Sequence, residues 1–239
     1  LLSEWLGVGA LTWIAGVSKR FQRRPIKFLY QRRENIFVFA MFALALLMGF
    51  LFKTQVYPVV DFAVDNLPPA LILRLALAAV LLAPFLIALL YRRQPVRTLG
   101  WSGTFSPALQ LGIGFLALVI FLHGKIFSLI NHMNGVTGMV ILILLAIALL
   151  EESAFRGYIF IRLTAGFGEI PGLVMTALLS TLWQTLFLIN FSAEPAAVLA
   201  AIGVALVQSL LLGWIMQKSG HVAAPAFYKT VALLVQYLP

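Results

Sequence analysis

Two adjacent carboxylates, Glu151 and Glu152, close an unbroken apolar run from Val136 to Leu150, and Arg156 and Gly157 follow them. A charge at hydrocarbon depth costs several kcal/mol, so ionisable residues inside membrane segments usually face a bundle interior and serve a purpose. On a helix, Glu152 and Arg156 are four residues apart and share a face, which lets them pair. Glu151 lies about 100° further round the same helix. One carboxylate can then be neutralised locally while its neighbour is left to act as a general base.

These residues need apolar helices to hold them. The chain has 239 residues, of which 62% are hydrophobic and 10% charged. Soluble domains carry about 25% charge, so the composition indicates a polytopic membrane protein. No cysteine is present, which excludes disulfides, thiolate catalysis and cysteine metal sites. The net charge of +9 matches the basic loops of a membrane protein, and nothing in the sequence supports nucleic-acid binding.

Eight apolar segments are expected, at roughly 5–18, 36–53, 68–91, 107–129, 136–163, 171–192, 195–216 and 221–238. The first is short. The expected organisation is a short apolar segment with a basic linker over 1–35, then an all-α transmembrane bundle over 36–239. Phe21, Ile26, Phe28 and Leu29 give the linker an apolar side suited to headgroups. Turn signals fall at Asn66-Leu67-Pro68-Pro69, Asn134-Gly135, Gly166-Phe167-Gly168, Glu194-Pro195 and Ser219-Gly220. Pro84 and Pro225 lie inside segments, where membrane helices tolerate a kink.

Basic residues collect in alternate loops. One set holds Lys19, Arg20, Arg23, Arg24, Lys27, Arg32 and Arg33, then Arg92, Arg93 and Arg97, then Arg156, Arg162 and Lys218. The other set holds Lys53 and Lys125 with Asp61, Asp65 and Glu194. The first set, including the 19–33 and 92–97 loops, is expected in the cytoplasm. Arg156 and Arg162 are expected on a helix end that projects past the hydrocarbon. Arg74 is expected near the outer headgroups, and Ala197, Ala200, Ala201 and Gly203 as packing contacts.

The stretch Glu151-Glu152-Ser153-Ala154-Phe155-Arg156-Gly157-Tyr158, with Leu163 and Gly168 after it, resembles the first motif of the CAAX protease and bacteriocin-processing (CPBP, or Abi) intramembrane proteases. The resemblance covers about residues 107–238. It implies a helical-bundle endopeptidase fold in which glutamate and histidine activate water, with or without a divalent metal, and the last helix stabilises an oxyanion. The family's second motif, Phe-x-x-x-His, falls on Ser180 and Gln184. Its third, His-x-x-x-Asn/Asp, falls on Lys229 and Leu233. Gln184 hydrogen-bonds water but takes no proton from it, and it is a poor metal ligand. Lys229 is expected to pair with Glu151 as a counter-ion; snorkelling to the interface is the plainer alternative. Gln184 also suits a simple interhelical hydrogen bond.

Of the three histidines, His123 and His132 are expected at the outer face and His221 as a solvated loop residue, with a His221-based site the less favoured reading. The reading is a family member that has lost proteolysis and binds or assembles another integral membrane protein in a bacterial inner membrane. The alternative is an active endopeptidase cleaving near the cytoplasmic face with Glu151 as base. Candidate site residues are Glu151, Glu152, Arg156, Gln184 and Lys229. No cofactor is expected; a divalent metal belongs to the alternative alone.

Overall fold

A computed structural model describes residues 2–17, 28, 30–58, 68–101, 105–131, 135–189 and 194–237. The linker basics Lys19, Arg20, Arg23, Arg24 and Lys27, with Phe21, Ile26 and Leu29, lie outside the described residues. So do Asp61, Asp65, Asn66, Leu67, His132 and Asn134.

All secondary structure among the described residues is helical. The helices are α1 (Leu2–Val17), α2 (Gln31–Leu51), α3 (Pro69–Tyr91), α4 (Phe105–Leu122), α5 (Ile126–Asn131), α6 (Gly135–Glu152), α7 (Phe160–Phe167), α8 (Glu169–Phe187), α9 (Pro195–Ser219) and α10 (Ala223–Tyr237). Proline at the first position starts α3 and α9, where the missing N–H is no loss. Gly220, at φ 69°, ends α9 in the left-handed conformation that a side chain would strain. Pro225 sits in the first turn of α10, so it interrupts no helical hydrogen bond. Pro84 lies well inside α3.

A helix occupies each of the eight expected segments. Six are long and apolar enough to cross a membrane: Gln31–Val56, Pro69–Tyr91, Phe105–Leu122, Thr137–Phe167, Glu169–Phe187 and Pro195–Ser219. The expected count of eight is not reached by that measure. α1 and α10 have 16 and 15 residues. At 1.5 Å per residue they reach about 24 and about 22 Å, against about 30 Å of hydrocarbon.

α6 continues through a π-helical segment, Ser153–Ile159, into α7. This long helix is the centre of the bundle: half of its best apolar window is buried, against 22–39% for the other five spans. Phe155, Tyr158, Ile159 and Leu163 pack with residues of α2, α3 and α8. Leu144 and Ile147 pack with Leu71 of α3 and with Leu233 and Leu234 of α10. On the far side of α10, Tyr228 and Val231 join α1, α4 and α9 around Phe115 and Leu212. By contrast, Ala197, Ala200 and Gly203 are exposed on α9, and a Cβ on Gly203 would meet nothing within 4 Å. The expected packing contacts there are outward-facing positions instead.

The two sets of loops fall at opposite ends of the bundle. Glu34 at the start of α2, Arg92 after α3 and Arg162 on α7 meet at one end. Lys53, beyond α2, reaches the carbonyl of Leu186 near the end of α8 at the other. Arg156 and Arg162, expected on a helix end that projects past the hydrocarbon, are both enclosed by the protein itself. Each has a buried carboxylate to neutralise it, which removes the reason to reach water.

Candidate functional site

Glu151 and Glu152 are both buried, and three cations surround them. Lys229, on the face of α10 turned toward α6, places Nζ 2.5 Å from Oε2 of Glu151 and 2.9 Å from Oε1 of Glu152. Arg156 lies one turn beyond Glu152, with Nε 3.2 Å from its Oε2. Arg74 approaches Glu151 from α3, Nε to Oε1 3.7 Å. The expected Glu152–Arg156 and Lys229–Glu151 pairs are therefore both formed, and Lys229 does not snorkel.

Arg74 corrects the expectation that placed it among outer headgroups. It lies in the second turn of α3, but its long side chain reaches Glu151 and is 22% exposed. Attraction to a carboxylate grows as the surrounding dielectric falls, which favours this inward reach over the headgroups.

The network extends to α8 and α9. Arg156 donates to Oγ of Ser180 at 3.3 Å and to the carbonyl of Ser209 at 2.8 Å. Ser209 donates to Ser180 at 3.0 Å. Gln184 donates through Nε2 to Ser180 at 3.3 Å. Gln184 thus joins the acidic pair at two removes, through Ser180 and then Arg156. Leu233 packs in the apolar cluster with Leu144 and Ile147.

The segment after α3 fixes the motif helix from the end of the bundle. A 3-10 turn, Val96–Leu99, lies across Gly157: a Cβ there would sit 2.2 Å from the carbonyl oxygen of Leu99. This contact explains a glycine directly after Arg156. Gly100 then accepts the N–H of Val222 just before α10, and Trp101 donates to Ser153 at 3.1 Å. Beneath it, Arg162 donates to Glu34 at 3.0 Å, to the carbonyls of Thr98 and Tyr158 at 3.1 Å, and to Gln94 at 2.5 Å. Its guanidinium lies over the Tyr158 ring at 3.5 Å.

His221 is enclosed, not solvated as expected. Its Nδ1 accepts the N–H of Ala223 at 3.1 Å, and its ring meets Trp101 and Phe105 edge-on. Burial pushes its pKa below the ordinary 6.5. His123, at the opposite end, contacts Oε2 of Glu4 at 2.9 Å, and Tyr228 donates to the other oxygen of Glu4 at 2.8 Å.

Residues 133–233 match the family model described as Type II CAAX prenyl endopeptidase Rce1-like. That region is similar to the CAAX protease family. The match spans less than half of the chain; it covers the acidic pair, Arg156, Gln184 and Lys229, and leaves out Arg74, Glu34 and Glu4. No curated protein and no solved structure gives a significant match.

The donor set does not suit the divalent metal that the CAAX protease resemblance allows. An ammonium already lies between the two carboxylates, two guanidiniums flank them, and the Gln184 amide donates to Ser180. Among the described residues no group of three His, Asp or Glu side chains converges. A divalent cation would have to enter beside three positive charges, so no chemical step is derived through one.

Sequence reasoning missed Ser209, Glu34 and Glu4. Ser209 carried no signal, being one small polar residue in an apolar helix. Glu34 and Glu4 did carry one: each is a lone acid at the edge of an apolar segment.

Proposed function

We propose that this integral membrane protein is a CAAX-protease-family member that no longer hydrolyses peptides and serves another integral membrane protein as a binding or assembly factor. One observation carries the reading: the Lys229 ammonium lies within hydrogen-bonding distance of both Glu151 and Glu152. A general base must have a free lone pair within reach of water. Here both carboxylates are engaged by Lys229, Arg156 and Arg74 and closed off from solvent. His221 and His123 are occupied by Ala223 and Glu4, not by this pair. The positions that carry family histidines hold an amide and an ammonium. We place the protein in a bacterial inner membrane with the 92–97 loop in the cytoplasm, on the excess of basic residues at that end.

The deciding experiment incubates purified wild type and Glu151→Ala with prenylated and unprenylated peptides. Both proteins are expected to stay at the protein-free background. Turnover by wild type that disappears in Glu151→Ala would overturn the proposal in favour of an endopeptidase with Glu151 as base. In cells, Glu151→Ala is expected to lower the abundance of the protein and of its bound partner, through loss of the buried charge network.

A further inference from the structure

One end of the bundle carries a cluster of arginines that the acidic core does not use. Glu34 is the acid at its centre, and its carboxylate is shared between Arg92 and Arg162, with Gln94 on Oε1. Arg32 and Arg33 precede Glu34 directly, and Arg93 and Arg97 flank Gln94. These four arginines are exposed, and among the described residues no carboxylate pairs with them. The Glu34 contact holds their two chain segments together, so the four charges form one surface. Arg93 also sits in the left-handed backbone region, at φ 48°, a conformation that a non-glycine residue adopts only when its surroundings impose it.

Aromatic residues mark the depth of this surface. Tyr30 is 64% exposed beside Arg32 and Arg33, and Tyr91 is 85% exposed beside Arg93. Amphipathic rings concentrate at the headgroup level of a bilayer. Basic side chains held at that level meet the phosphates of anionic lipids, which add a favourable interaction for each charge.

We propose that Arg32, Arg33, Arg93 and Arg97 form a binding surface for anionic phospholipid headgroups. The surface is independent of whether the buried acids catalyse anything. It selects lipid by charge, and Glu34 holds its two halves in register.

The test is native mass spectrometry of the purified full chain in neutral detergent, titrated with dioleoylphosphatidylglycerol or dioleoylphosphatidylcholine. Phosphatidylglycerol is expected to bind at least about tenfold more tightly than phosphatidylcholine, and R32Q/R33Q/R93Q/R97Q to lose at least about tenfold of that affinity. The paired variants R32Q/R33Q and R93Q/R97Q are expected to fall between, which covers misfolding of the quadruple variant. Lys53→Gln, at the opposite end, is expected to leave binding unchanged. Equal binding of the two lipids, wild-type affinity in both paired variants, or an equal loss in Lys53→Gln would overturn the proposal.

Discussion

The ammonium of Lys229 lies 2.5 Å from Glu151, so α10 is tied to α6 by an ion pair inside the bundle. Removing one partner of a buried pair strands the other, at about 3–5 kcal/mol. Lys229→Met is therefore expected to destabilise the protein by about that amount. Glu151→Gln should cost less, because Lys229 keeps Glu152. The double variant should be more stable than the two single losses predict, by at least about 1 kcal/mol. Equilibrium unfolding in detergent measures all three, and simple additivity would contradict the ion pair.

Gly157 makes room for the backbone of Leu99, and no rotamer change can relieve a clash with a carbonyl oxygen. Gly157→Ala is expected to cost about 3 kcal/mol, the upper part of the range for overpacked cores. Gly138, whose Cβ would meet nothing within 4 Å, is the control. Gly138→Ala should be neutral or slightly stabilising in the same assay, since alanine favours the helix.

Arg162, on α7, donates to Gln94 and to the Thr98 carbonyl in the 94–98 segment and to Glu34 of α2, with a fourth bond to the Tyr158 carbonyl one turn back. Lysine keeps the charge but not the planar fork. Arg162→Lys should speed amide hydrogen exchange at Thr98 and Gly100, whose N–H groups bond within that turn. Exchange in α4 should be unaffected. A variant that exchanges like wild type at Thr98 would show that the turn holds itself.

Burial lowers the pKa of His221 below 6.5, so the folded protein prefers the neutral ring. Its contribution to stability is fully present above 6.5 and is lost as pH falls through the depressed folded value. Wild type should lose thermal stability relative to His221→Asn between about pH 7 and about pH 5, since asparagine keeps an acceptor for the Ala223 N–H without titrating. Parallel pH dependence of the two proteins would show that His221 titrates alike in the folded and unfolded protein, so that burial does not hold its ring neutral.

The helices and the acidic pair were legible because both follow from composition and spacing. Long apolar runs must be helical in lipid, and charges inside them must find partners. Glu152 and Arg156 share a helix, so periodicity alone brought them together. Lys229 followed from the motif position. Arg74 did not follow: it lies far from Glu151 in sequence, and only the packing of α3 on α6 makes it a partner. Arg156 and Arg162 fall among the loop basics by sequence, and Glu34, the buried acid that encloses Arg162, lies 128 residues away where spacing gives no sign of it. Gln184 was placed at the acids by motif spacing alone, and the turn of α8 sends it to the two serines instead.

Tyr228 and Lys229 are neighbours on α10, yet one holds Glu4 of α1 and the other the acids of α6. Consecutive helical residues point about 100° apart, so this helix is pinned from two directions. Turning it by one residue would break both attachments together. The last helix is thus moored on two sides, to α1 through one residue and to α6 through the next.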